Sequence, residues 1–518
     1  MMVHDEGLSQ ASQAVDPSCP SEIDRPSRQG SWSDTAGAAM DVVEISIFEK
    51  PGADGPLTKV GQLGPDGKPE MDPSGCWMSS GTVRVASFTA MTAGAALIGG
   101  LSPQQAIGIG VPKATVPRGS VLNIVAKKHL NGGANVIART KEHFTFGSKA
   151  ALMVFDVDMK WLTPEVAASV SGGDKYWSEL VGLAPGLLGA ARIQRASSSA
   201  GLSANGTAFP SSANQHIYVG VMDGTDIPRA TRVMHDRAVL AGLGRVVLGD
   251  VGQQLVRSIV DVAVASEERL VFEGGPVLKP PLVQDPDVRK PVAYDGKIVD
   301  TKTAIPSLSL QERVRLDIMI AAQATALAPE AARLRGAADQ KVAEHLVKTT
   351  GVAIEEALHQ VALRHVRLLP PELELEFDDS ALRIVTVKDV MAQPGKYVDE
   401  TLADPLEGIG YGRCKAKVMW GHSGQLIVHS FAHGGAVYRL VHNEATLRAL
   451  IVATDSDAVA AAVIGNFEPD ALPLDAQERL LKATAKKAIP SLSRQARHHD
   501  RRAEDSPGPR GRPPSRRS

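Results

Sequence analysis

Asp156 and Asp158 close the apolar run ALMVFDVD, residues 151–158. In an extended strand alternate residues share a face, so both carboxylates point the same way and Val157 points toward the core. Two carboxylates side by side repel and tend to keep a proton. A divalent cation removes that penalty, and hard oxygen donors suit magnesium or manganese. Equally, two acids at a strand end need be no more than solvated surface groups.

A metal-dependent transfer of a nucleotidyl group needs more than one pair of acids. It needs a third acid and groups for an incoming triphosphate. SSANQHIYVGV puts His216 at the start of a strand, after a small polar turn. RSIVDVAVASEERLVFEG puts Asp261 inside an apolar strand, with Ile259 on its face and Val260 and Val262 opposite. A charge there is costly unless it is paired or metal-bound. Arg269 follows, and its planar fork suits a phosphate. Each has a plainer reading: His216 as a hydrogen-bonded structural histidine, Arg269 as a surface ion pair with Glu267 or Glu268.

The elements around these residues are mixed. Residues 1–40 are rich in Ser, Asp, Pro and Gly and read as disordered. From 41 to 285 strands and helices alternate. VVEISIFEK, HIYVGVMD, SIVDVAVA and RLVFEG read as strands; PEVAASV, KYWSELVGLAPGLLGAARI and IPRATRVMHDRAVLAGLG read as helices. Residues 286–308 read as a Pro-rich linker, 309–376 as a helical region, and 377–442 as a small β-hairpin module. A helical C-terminal region, 443–495, and a disordered basic tail, 496–518, follow. From Arg494 onward there are eight arginines against three acids, which would add sequence-blind DNA affinity or simply be solvated. The alternation fits α/β or α+β, and the order of elements alone does not choose between them.

Composition sets outer bounds. A chain of 518 residues is long enough for two or three domains. The net charge of −2 gives no bulk attraction to nucleic acid or membrane. The three cysteines, Cys19, Cys76 and Cys414, form no Cys-x-x-Cys pair, which fits a reducing compartment. The N-terminus lacks a signal-peptide core, and the most apolar window, 91–111, is broken by Ser, Pro and two Gln. A cytoplasmic protein without membrane contact is expected. No GxxxxGK[ST] motif occurs, so ATP-driven unwinding would fall to a separate helicase.

The Asp-x-Asp strand end resembles the opening motif of haloacid-dehalogenase-type phosphatases, although Met159 and Lys160 replace the small residue and threonine of that family. The ordered set resembles the archaeo-eukaryotic primase superfamily, closest to the primase-polymerases of plasmids and phages. That resemblance runs over about residues 45–280 and makes Asp156 and Asp158 the first motif, His216 the second and Asp261 the third. Ser211, Ser212 and Ala213 stand where that family has glycines before the histidine. The resemblance implies an N-terminal α/β unit joined to an RRM-like sheet, with the acids in the cleft between them. It implies Asp156, Asp158 and Asp261 as ligands of Mg2+ or Mn2+, and His216 and Arg269 as contacts to the nucleotide phosphates. The implied partners are a single-stranded DNA template and nucleoside triphosphates. A non-catalytic DNA-binding replication module is the third alternative.

The stretch 410–440 resembles a C-terminal segment of the same mobile-element primases. Cys414, His422, His429 and His433 offer metal-ligand types at spacings that match no standard zinc pattern, so a metal-free β module is the simpler reading. Arg413, Lys415 and Lys417 would suit a nucleic-acid backbone or a solvated face.

Overall fold

The computed structural model describes residues 41–113, 119–209, 214–379, 381–432 and 435–504. The 1–40 segment, residues 505–518 of the basic tail, Ser211, Ser212, Ala213, His433 and Gly434 lie outside the described residues. The protein is α+β.

Strand β1 (Val43–Glu49) pairs antiparallel with β2 (Gly81–Phe88), and helix α1 (Met91–Gly99) follows. With β3 (Gln105–Gly108), β4 (Leu122–Ile124) and β5 (Val136–Ile137) they form a sheet of order β3-β1-β2-β4-β5. Both faces of β1 are covered: Val43, Ile45 and Ile47 are buried on one and Ser46 and Phe48 on the other. Val43, Ile45 and Ile47 pack toward the next sheet, while Phe48 joins Val83, Leu122 and Ile124 in a smaller core. Gly94 lets α1 sit close: a Cβ there would come 2.7 Å from the Phe88 ring and 3.0 Å from Ile193.

The second sheet combines β6 (Ala151–Asp156), β7 (Arg192–Ala196), β8 (Gln215–Val221) and β11 (Val292–Tyr294), in order β6-β8-β7-β11, all antiparallel. Helix α2 (Gly173–Leu183) and helix α3 (Ile227–Leu240) lie between its strands in sequence. The pleat puts Val154, Asp156, Tyr218, His216, Ile193 and Arg195 on one face. On the other face the Arg192 guanidinium lies between the rings of Trp177 and Tyr294. Next comes a hairpin, β9 (Gly244–Leu248) and β10 (Gln254–Ser258).

Five expectations need correction. The helix expected across KYWSELVGLAPGLLGAARI ends at Leu183, because Pro185 breaks it, and Arg192 and Ile193 already belong to β7. RLVFEG makes only a single bridge, Val271 to Ile107. There, arginine side chains take over the role of a ladder: Arg195 and Arg289 donate to the carbonyl of Glu273 at 2.9 and 3.3 Å. Residues 286–308 are no linker. They supply β11, bury Arg289, and return the Val299 N–H to the Gly220 carbonyl at 2.9 Å. Proline suits that stretch because Pro291 precedes an edge strand. The fourth concerns Asp158 and Asp261 and is taken up with the site.

Helix α4 (Leu310–Thr350) opens on a Ser309–Glu312 capping box and closes on left-handed Gly351. It packs along the β9–β10 hairpin, where the Val246 N–H donates to Gln323 at 2.7 Å. Helix α5 (Ile354–Ala362) folds back on it around Ala343, Leu346, Ala357 and Val361. The β module has order β12-β16-β15-β14-β13, from Leu368–Leu369, Thr401–Leu402 (β13), Ala416–Trp420 (β14), Leu426–Ser430 (β15) and Ala436–Leu440 (β16). Helices α6 (Glu444–Ala453), α7 (Val459–Asn466) and α8 (Leu474–Glu504) pack around Leu447, Val459, Val463 and Leu480. The backbone of α8 continues as helix through residues 496–504, where a disordered tail was expected. The sequence there has no Gly or Pro to stop it, and the first proline beyond is Pro507. Among the described residues no helix is long and apolar enough to cross a membrane.

Candidate active site

Three expected residues meet at one end of the second sheet. Asp156, the last residue of β6, pairs directly with His216 of β8, and His216 pairs with Arg195 of β7. The His216 Nε2 lies 3.5 Å from Asp156 Oδ1. The backbone N–H of Asp261 donates to the Asp156 carbonyl at 3.1 Å, which pins the third acid beside the first. Two buried side chains hold the approach to Asp261: Tyr176 OH donates to the Ile259 carbonyl at 2.7 Å, and His235 Nδ1 lies 3.0 Å from the Val260 carbonyl.

Neither Asp158 nor Asp261 is inside a strand, contrary to expectation. β6 ends at Asp156, and Asp158 caps the 3-10 turn Met159–Trp161, its Oδ1 accepting from the Lys160 N–H at 3.1 Å. β10 ends at Ser258, and Asp261 caps the turn Val262–Val264 by accepting from the Ala263 N–H at 2.9 Å. Short acids compete with the ladder for nearby backbone N–H groups, and each ended its strand that way. Val157 is buried as expected, and Asp158 is exposed. Each cap uses one carboxylate oxygen; among the described residues the other has no donor.

The electrostatics favour an added cation. Burial raises the pKa of the Asp156 carboxyl; His216 opposes this, while the charges of Asp261, Asp158 and Glu273 add to it. Burial lowers that of His216, but Asp156 and Glu273 outweigh it and the net shift is upward. Among the described residues no three His, Cys, Asp or Glu side chains already stand in metal-binding array. The donor set itself is chemically suited to magnesium or manganese: three carboxylates, two with an oxygen to spare and one whose charge burial and its acidic neighbours disfavour.

Arg269 does not join this group. It is exposed and, among the described residues, has no ion-pair partner, neither Glu267 nor Glu268. Its charge acts instead on Arg139 and on Lys415 of the β module.

Sequence reasoning missed the residue that most constrains His216. Glu273 is fully buried, and its Oε1 lies 2.6 Å from His216 Nδ1. Tyr218 OH donates to the same oxygen. Arg195 Nη1 reaches Oε2 at 3.0 Å and Arg289 Nη2 at 3.5 Å. Burial alone would raise the Glu273 pKa, but His216, Arg195 and the hydrogen bonds from His216 and Tyr218 pull it down to about 2. The available signal was an acid ending an apolar run, VFEGG, with an arginine inside the strand RIQRA.

In the β module Cys414 takes a left-handed backbone, φ 54°, and its N–H donates to Asp378 at 3.0 and 3.1 Å. Burial, then the Asp378 charge, push its thiol up to about 12, far from the thiolate that zinc requires. Lys417 pairs with Asp399 at 2.6 Å, and Lys415 lies over the Tyr411 ring.

No protein-family model matches the chain, and neither a curated protein nor a solved structure matches it.

Proposed function

We propose that this protein is a DNA primase-polymerase of the archaeo-eukaryotic type, serving the replication of a plasmid or prophage-like element. One observation carries the reading. Asp156, His216 and Asp261, far apart in sequence, meet through a strand pair and a single backbone hydrogen bond. In the same reading, the β1 sheet and the β6 sheet are the counterparts of the α/β unit and the RRM-like sheet.

Asp156, Asp158 and Asp261 would hold Mg2+ or Mn2+. Such cations, when bound, make a 3′-hydroxyl a better nucleophile and stabilise the triphosphate and leaving pyrophosphate. The chain's own groups bind and orient. His216 presents Nε2 to a phosphate of the incoming nucleotide. The caps on Asp158 and Asp261 fix each carboxylate through one oxygen and leave the other for metal. Arg269, exposed and outside this group, is left for the phosphate backbone of the nucleic acid.

The test is primer synthesis and extension on single-stranded DNA with labelled nucleoside triphosphates and Mg2+ or Mn2+. Metal-dependent products that vanish with a joint Asp156→Ala, Asp158→Ala change are expected. No product from the folded native chain, with or without a primer, would overturn the reading. Hydrolysis of a small phosphate ester would then favour a haloacid-dehalogenase-like phosphohydrolase, and metal-independent DNA binding alone a replication module without catalysis.

A further inference from the structure

We propose that Glu273 is a positioning residue: its buried carboxylate fixes the His216 ring with hydrogen on Nδ1 and Nε2 turned toward Asp156. The proposal rests on the nucleotidyl-transfer reading only for what Nε2–H meets when the ring carries both hydrogens, a phosphate oxygen of a nucleoside triphosphate.

The geometry leaves the carboxylate no other role toward the ring. Tyr218 OH, Arg195 Nη1 and Arg289 Nη2 are all donors, and all point at Glu273. A carboxylate ringed by donors accepts, so the ring nitrogen 2.6 Å away must carry the hydrogen. That assigns the remaining ring nitrogen, Nε2, to the side where Asp156 stands at 3.5 Å.

Glu273 is itself held from three directions. Arg195 Nη1 donates to the Ile98 carbonyl at the end of α1 at 2.9 Å, and Arg195 Nε donates to the Arg289 carbonyl at 3.0 Å. Both arginines also grip the Glu273 backbone carbonyl. The acid therefore cannot follow the ring. The ring must follow the acid, and α1, β7 and the 286–308 segment together set where His216 points. Two arginines already neutralise one carboxylate, so the histidine contact is more than charge balance for a buried acid. A group held this way raises the fraction of encounters in which the ring meets substrate in the productive orientation.

The direct test uses the full native chain labelled with 15N-histidine. The NMR signal that disappears in His216→Ala is the His216 ring. The expected result is a slowly exchanging, far-downfield Nδ1-bound proton. In Glu273→Gln that proton should move upfield and exchange faster. The same variant should raise KM for the nucleotide about tenfold while changing kcat less than about threefold, since orientation for binding is lost rather than the metal-holding acids. A native ring with its hydrogen on Nε2 alone would overturn the proposal. So would a folded Glu273→Gln with the Nδ1 proton and KM unchanged. If Glu273→Gln does not fold, the native spectrum decides. If the native chain incorporates no nucleotide, the polymerase reading falls, and the spectrum still decides what Glu273 does.

Discussion

Asp156 ends a strand and Cys414 precedes one, each among other ligand-type side chains, and burial raises the pKa of both. Their neighbours differ. Around Asp156, charged groups arrive from separate parts of the chain: His216 from β8, Asp261 after β10, Asp158 from the next turn, and Glu273 behind them. Two of these acids keep an oxygen unspent. Around Cys414 the bonding capacity is consumed. Asp378 takes the Cys414 N–H, Asp399 takes Lys417, and Asp404 takes the Ser430 hydroxyl at 2.6 Å. Residue type alone therefore does not mark a site. Convergence of charge that the fold leaves uncompensated does, because folding alone gives no reason to bear that cost.

The comparison can be broken at its strongest point first. Asp156→Asn should cut nucleotide incorporation about a thousandfold or more, while Cys414→Ser leaves it within about twofold. Steady-state incorporation on primed single-stranded DNA measures both. A next step removes the support and not the site. Glu273→Ala strands Arg195 and Arg289 without their counter-charge and should cost about 3–5 kcal/mol in urea unfolding. His216→Ala should then lower incorporation about a hundredfold with less effect on stability.

The acid limb of stability sharpens the contrast further. The Glu273 carboxyl falls from an ordinary value of 4.5 to about 2 on folding. A lowered folded pKa gives stability that is complete above 4.5 and lost as pH falls through about 2. The melting temperature of the native chain should therefore drop between those values, and Glu273→Gln should flatten that part of the curve. The smallest effect belongs to the β module. Cys414→Ser should change unfolding free energy by less than about 1 kcal/mol, since the thiol's contact to Thr401 Oγ1 is a long 3.7 Å and a hydroxyl can take its place.

Much of this was legible from pattern. The β1, β8 and α3 segments lie where their periodicity puts them, and Asp156, His216 and Asp261, singled out by their order in the chain, stand together. What failed had local causes. Asp158 and Asp261 were assigned to strands by apolar alternation, but an aspartate beside a free backbone N–H prefers to cap a turn. The 286–308 stretch reads as a linker because three prolines punctuate it, while Val292 and Val299 pair with strands of the second sheet, which composition cannot reveal. Glu273 escaped notice because its meaning lies in partners scattered from Arg195 to Arg289, a long-range arrangement with no spacing signature.

The central claim is that Asp156, Asp158 and Asp261 act together on divalent metal beside a nucleotide held at His216. The most direct measurement is a Mn2+ titration followed by electron paramagnetic resonance, on the native chain, Asp156→Asn and Asp261→Asn, with and without a non-hydrolysable nucleoside triphosphate. The account predicts Mn2+ binding that the nucleotide strengthens in the native chain and that either substitution weakens by an order of magnitude or more. Native Mn2+ binding that is absent, or that ignores both substitutions, would contradict it.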